Sequence, residues 1–522
     1  MDLTARLRSI MRPNSGAGSE GAERGEGVPA SDRAGVWGGA PPKNELTYEP
    51  DTGRYEASID LDRVADVLGG RVVTNHFGRA LIIDRRYESD RYHGTRRVGE
   101  CELPDGDTLR LLDPSLPVPD GSGSRTLFID LETTGLSGGA GTVAFLVGCG
   151  WFDMGAFQVR QFLLTSYASE RALLSAVADC FDATSLLVTY NGKTFDVPMM
   201  ETRWQFHRMP LPLESVRHFD MLHPARRLWA SRWVHASGME RPATRPRNGA
   251  SVSEGPAGTA AERRPRAPGD DSGGCRLSTL ERVLCEVRRV GDIPGMDIPG
   301  RYFQFLRSGD ARPLEPVLEH NRLDLISLAA VTAHAVELVE KGTERCRDAA
   351  EALALGKVYE RAGCVDRALA AYETASRDEA AHIDVRAEAI YRLGVRLRRD
   401  RRFAEAADCW RRILDLKQSR KGRPHLRQGY GGQGSAMLAP LRAYAVEALA
   451  IHQEHRERDY EGAKELTLRL LDELEDGDFS VPSSKLRTGK AEATRHRIAR
   501  LDRKLARVSP APRGPGDGGL LD

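Results

Sequence analysis

The part of the sequence best equipped for chemistry is Phe128-Ile-Asp130-Leu-Glu132-Thr-Thr-Gly135, where two carboxylates stand one residue apart at the end of an apolar run. A D-x-E pair alone carries no weight, because surface Asp and Glu are common. Its setting does. Thr126-Leu-Phe-Ile-Asp130 reads as a buried strand, and α/β sheets place their chemistry at the carboxyl ends of strands. Strand alternation sends Asp130 and Glu132 to one face. Two carboxylates held together beside an apolar core repel each other unless a cation neutralises them. Thr133, Thr134 and Gly135 follow with hydroxyls and backbone amides suited to a sugar-phosphate end, so they are candidate substrate contacts.

Two further segments could complete such a site. Tyr190-Asn191-Gly192-Lys193-Thr194-Phe195-Asp196 stands at another strand end and opens a helix. Asp196 would face the same cleft, Asn191 would cap the turn or bond across the site, and Lys193 could meet a phosphate. Read alone, Asp196 would serve equally well as a first-turn helix acid, a very common use. In Leu318-Glu319-His320-Asn321-Arg322-Leu323-Asp324, His320 and Asp324 are four apart and share a helix face. A carboxylate there can complete a metal site, and the imidazole can reach an attacking water. As an isolated pair they would be a solvated acid and a surface histidine. Arg226, Arg227 and Arg232 could also contact phosphate, although such clusters are more often a solvated basic face. Asp220 reads as structural.

These residues need a scaffold, and the pattern supplies one. Strands are expected at Thr126–Asp130, Thr142–Gly148, Phe157–Leu164 and Leu186–Tyr190, with helices over 170–181 and 197–207. A meander followed by alternating helix and strand implies a mixed sheet flanked by helices. A long helix is expected from about Pro313 through Leu338. Upstream, Gly70-Arg-Val-Val-Thr and Gly78-Arg-Ala-Leu-Ile-Ile read as two short strands of a small β-rich extension, 46–120, that packs on the α/β domain downstream of it. Residues 1–45 and 506–522 have the composition of disordered ends, and 236–274, rich in Pro, Gly, Ser and Arg, that of a disordered insertion within a domain spanning 121–340. From 349 to 505 the sequence is helical with a weak repeat. Leu355-Gly356-x-x-Tyr359, then Ala368 and Tyr372, is matched at the same offsets by Leu393-Gly394-x-x-Leu397, then Ala406 and Trp410; a fainter third copy uses Ala450, Glu454 and Ala463. Small residues would let paired helices approach while large ones fill the gap.

Bulk properties exclude little. The 76 basic and 75 acidic side chains nearly cancel, so a nucleic-acid footprint would have to be local. None of the eight cysteines forms a C-x-x-C pair, which argues against a zinc ribbon and for reduced thiols. With no signal-peptide pattern and no apolar run near the roughly 18–20 residues of a membrane span, a cytoplasmic protein with no membrane partner is expected.

Together the three acidic segments resemble the DnaQ-like, four-carboxylate (DEDD) exonuclease branch of the ribonuclease-H-like fold. They resemble the YprB-type ribonuclease-H-like domain family more closely, over roughly 45–340. Gly192-Lys-Thr-Phe-Asp196-Val-Pro198, Phe219-Asp220-Met-Leu-His-Pro-Ala-Arg226, Leu277-Ser-Thr-Leu-Glu281, Asp292-Ile-Pro-Gly295 and His320-Asn321-Arg322-Leu323-Asp324-Leu-Ile-Ser-Leu328 carry that likeness. The C-terminal region resembles tetratricopeptide repeats, with a generic array of helical hairpins as an equal reading. The resemblance implies an α/β ribonuclease-H-like domain followed by an all-α helical repeat domain. It implies a 3′–5′ exonuclease with two Mg²⁺ or Mn²⁺ ions held by Asp130, Glu132, Asp196 and Asp324, acting on DNA or RNA. Asp130 would bridge both ions, Glu132 and Asp324 would complete one shell, and Asp196 would act mostly through water. The superfamily's histidine branch places its base five residues before the last Asp; His320 stands four before, where the other branch has a tyrosine. It is therefore read either as general base or as a group that orients water. The competing reading is a non-catalytic adaptor that binds nucleic acid and recruits a protein through its helical repeats.

Overall fold

The computed structural model describes residues 46–49, 54–57, 59–103, 108–118, 125–135, 141–213, 216–237, 275–416, 438–475 and 484–508. The expected disordered ends 1–45 and 509–522, nearly all of the expected insertion (238–274) and the Gly-rich stretch 422–434 lie outside the described residues.

Seven strands form the central sheet: β1 (Arg71–Asn75), β2 (Gly78–Tyr87), β3 (Arg125–Thr133), β4 (Ala144–Asp153), β5 (Ala156–Leu163), β6 (Thr184–Thr189) and β7 (Arg217–Asp220). Their order is β7-β6-β3-β4-β5-β2-β1. β6 runs parallel to both β3 and β7, and the remaining neighbours are antiparallel. The sheet is mixed, as expected. The two upstream strands do more than pack on the domain. β2 pairs with β5 from Leu81↔Leu163 to Tyr87↔Phe157, so the extension continues the same sheet and covers what would be an open edge.

Side-chain alternation along β3 divides two cores. Leu127, Ile129 and Leu131 pack on one side with α1 (Leu61–Leu68), α2 (Glu170–Ala178), α3 (Asp196–Phe206) and α6 (Ile298–Ser308). Phe128 points to the other side, toward α4 (Leu222–Ser237), α5 (Leu277–Leu284) and α7 (Glu315–Lys341). Asp130 and Glu132 follow Phe128 on that face. Helix α7 joins both cores: Val317 and Leu318 belong to the first, and Leu325 through Val339 to the second.

The second core runs on without a break into the C-terminal helices α8 (Ala349–Arg361), α9 (Val365–Arg377), α10 (Ile383–Arg399), α11 (Phe403–Asp415) and α12 (Leu438–His452). Trp229 of α4, fully buried, donates its indole N–H to Glu351 of α8 at 2.8 Å. The repeat offsets act as their residue types predict. A Cβ on Gly356 would meet the Tyr372 ring at 2.5 Å, and one on Gly394 the Trp410 ring at 2.6 Å, so glycine permits each close helix approach. Helices α13 (Tyr460–Glu475) and α14 (Ser484–Val508) close the described chain, α14 reaching three residues past the expected boundary at 505. All eight cysteines are free thiols. Among the described residues no helix is long and apolar enough to cross a membrane.

Candidate functional site

Asp130 and Glu132 lie on the same face of β3, near its carboxyl end. Asp196 is the first residue of α3 and is almost wholly buried, and its carboxylate accepts a hydrogen bond from the amide of Leu131, between the other two acids. Asp324 lies on α7, whose Asn321 donates to Asp130 Oδ2 at 2.8 Å. Four carboxylates spread over 194 positions thus lie near enough to act on one another.

Their electrostatics reflect the crowding. Burial, then the charges of Asp324, Glu132 and Asp196, push Asp130 well above the carboxylate range, while the Asn321 hydrogen bond pulls it back. Burial, then Asp324, Asp196 and Asp292, raise Glu132 to about 8. Burial raises Asp196 to about 7, with Asp220 adding to the shift and the amides of Asp196 and Leu131 opposing it. Among the described residues no group of three or more His, Cys, Asp or Glu side chains is placed to hold a metal ion as it stands.

Asp324 has a built-in counter-ion. The buried guanidinium of Arg289 donates to both oxygens of Glu281, at 2.6 and 2.8 Å, to Asp324 Oδ1 at 2.5 Å and to Asp292 Oδ2 at 3.2 Å. Asp292 Oδ1 in turn sits 2.7 Å from His320 Nδ1. A carboxylate can only accept, so this contact places a proton on Nδ1. The ring's other nitrogen, Nε2, lies 3.6 Å from Asp324 Oδ2. Sequence reasoning gave no role to Arg289, Glu281 or Asp292. Two of the three fall in segments that carry the family resemblance, which was the available signal.

The expected substrate contacts are engaged within the chain. The Thr133 hydroxyl donates to the Gly135 carbonyl at 3.0 Å, and the Thr134 hydroxyl accepts from the Val143 amide at 3.0 Å. Asn191 adopts a left-handed backbone (φ 70°), and its side-chain oxygen accepts from the Thr194 hydroxyl at 2.7 Å. Gly192 is needed beside it, since a Cβ would stand 2.3 Å from Thr189 Oγ1. Asp220 accepts from the amides of Asn191 and Lys193, fastening this turn, which agrees with a structural role. The Lys193 ammonium pairs with Asp113 at 3.3 Å. Arg227 donates to the Leu112 carbonyl, and the Arg232 side chain lies outside the described set.

Comparison with known proteins agrees with this architecture. Residues 127–241 and 263–336 match a family model described as RNase_H superfamily. The chain is 29% identical over 437 residues to the "Uncharacterized protein YprB" of Bacillus subtilis (strain 168), covering 82% of this chain and 86% of that protein. The superfamily match suggests nuclease-type activity. The mixed seven-stranded sheet and this match agree on a ribonuclease-H-like fold for the segment from β3 through α7, set in a chain similar over most of its length to YprB.

Proposed function

We propose that the chain is a metal-dependent phosphodiester hydrolase acting on nucleic acid as a 3′–5′ exonuclease, with Asp130, Glu132, Asp196 and Asp324 as ligands for two Mg²⁺ or Mn²⁺ ions. The observation that supports this reading is the mutual nearness of four carboxylates from β3, α3 and α7, with the charges of Asp324 and Asp196 raising the pKa of both Asp130 and Glu132. The donor set is all oxygen and rich in negative charge, which fits a hard divalent cation better than zinc. When bound, such a pair lowers the pKa of a water and neutralises charge on the phosphate during in-line displacement.

The chain's own residues prepare the site. Asp130 and Glu132 stand at fixed spacing because a strand holds them. The Leu131 amide holds Asp196 against that strand. Arg289 holds one oxygen of Asp324 and leaves Oδ2 on the side of His320. Of the two roles open to His320, the Asp292 bond supports the base: it fixes the ring and the tautomer, and Nε2 is left to take a proton from water. Digestion of end-labelled single- and double-stranded DNA and RNA with Mg²⁺ or Mn²⁺, with Asp130→Asn as control, tests the reading. Products shortened one nucleotide at a time from the 3′ end are expected with the unaltered chain alone. Metal-independent binding without cleavage would leave the adaptor reading in its place.

A further inference from the structure

Asn321 is a completely buried polar side chain on a helix whose neighbouring inward positions are Leu318, Leu325 and Leu328. A polar group in such a stripe costs stability unless every hydrogen bond is made. Here they are made, and to unusual partners. Asp130, Gly148 and Gln161 stand side by side in one row across β3, β4 and β5, and Asn321 lies over that row. Its Nδ2 donates to Asp130 Oδ2 at 2.8 Å and to the Asp130 carbonyl at 3.1 Å. Its Oδ1 accepts from Gln161 Nε2 at 2.8 Å, and the same Nε2 donates to the Leu318 carbonyl at 2.8 Å.

Chemistry fixes the direction of this chain of bonds. The main-chain carbonyls of Leu318 and Asp130 can only accept, so Gln161 presents its NH₂ to Leu318 and Asn321 presents its NH₂ to Asp130. The row's middle member has no side chain, and must have none: a Cβ on Gly148 would stand 2.2 Å from Asn321 Oδ1.

We infer that Asn321 is a positioning residue of the cation site, holding Asp130 by one oxygen and fixing its spacing from Asp324 one turn along the same helix. The inference rests on the reading of the four acids as cation ligands. Asp130 faces three other carboxylates, and repulsion would turn an unrestrained side chain away. A lysine or arginine at position 321 would hold it too, but would cancel the charge a cation needs. A neutral amide fixes the orientation and leaves the charge. The Gln161 bond keeps the amide from flipping.

The experiment measures Mn²⁺ affinity of the full chain by electron paramagnetic resonance, together with Tm in chelator. Three chains are compared: the unaltered protein, Asn321→Ala, and Asn321→Ala with Gly148→Ala, in which the new Cβ occupies space the amide has left. Outer-sphere partners of metal ligands are typically worth about 10–100-fold in affinity. Asn321→Ala is expected to weaken Mn²⁺ binding by that factor and to lower Tm. The double variant should recover much of the Tm and none of the affinity. Recovery of both would show that Asn321 only fills space, and unchanged affinity in Asn321→Ala would overturn the inference equally. If Asn321→Ala does not fold, Gln161→Met keeps Asn321 and removes the bond that fixes it. Weaker Mn²⁺ binding there supports the inference, and unchanged binding overturns it. Absence of Mn²⁺ binding in the unaltered protein is a different result, which defeats the cation-site reading itself.

Discussion

Glu132 in the candidate site and Glu454 in the C-terminal helices are glutamates enclosed by protein, and their surroundings drive them in opposite directions. Glu132 faces Asp324, Asp196 and Asp292 and rises to about 8. Glu454, whose burial alone would raise it, accepts from Arg500 at 2.7–2.8 Å and from Lys504 at 2.9 Å and falls to about 2. The helical region neutralises its buried acids with its own cations and so uses them for stability. The site gathers acids, and among the described residues only Arg289 and His320, both at Asp324, stand against them as basic groups. Charge organised against the fold in one region and for it in the other separates a site from a scaffold.

The contrast is sharpened first at Asp130. Asp130→Asn is expected to abolish Mg²⁺-dependent cleavage, a loss beyond the ~10–100-fold of an outer-sphere change. It should also raise Tm in chelator at alkaline pH, where the raised carboxyl is ionised and Asn removes a repelling charge. A variant that cleaves normally, or is less stable without metal, breaks the comparison. Next comes His320→Ala, expected to lower turnover by roughly 10²–10⁴-fold, the range of a positioned base; single-turnover rates at saturating metal measure it. A smaller loss would return His320 to the orienting role.

In the helical region the effects should fall on stability alone. Gly394→Ala drives a Cβ into the Trp410 ring and should cost about 1–3 kcal/mol by overpacking, read from denaturant midpoints, with cleavage unchanged. Glu454→Gln removes the charge and one of the two acceptor oxygens that Arg500 and Lys504 share and should cost about 1–3 kcal/mol. Its pH dependence has a definite sign. Because Glu454 is lowered in the folded chain, its contribution is present above its ordinary value of 4.5 and is lost as pH falls from there toward 2. The difference in stability between the unaltered chain and Glu454→Gln should shrink over that window. A constant difference would mean that Glu454 matters by packing.

How much of this was legible depends on the range of the interaction. The period of two around Asp130 and Glu132, and the offsets Gly356–Tyr372 and Gly394–Trp410, are local or repeat, and the structure uses them as their residue types suggest. The strands at 71–75 and 78–87 were legible as strands, but their membership of the main sheet was not, because it depends on register against β5. The pairing of Lys193 with Asp113 joins positions 80 apart, and no spacing announces it. Asn321 did leave a signal. It interrupts the stripe Leu318, Leu325, Leu328, and Gly148 interrupts a buried strand, two breaks in pattern that are usually explained by contact with something else. Which residues they meet required three strands in register.

Helix α7 has its first turns in one core, its candidate site residues in the middle, and its remaining length in a core shared with the C-terminal helices. The consequence is one of modularity. A chain ended after Lys341 would strip Trp229 of its Glu351 acceptor on α8, and the Val339 carbonyl of its donors Tyr359 on α8 and Arg367 on α9. The half that bears the carboxylates is therefore not a cassette to be lifted out or joined to another protein on its own. The unit to move in the laboratory is the pair.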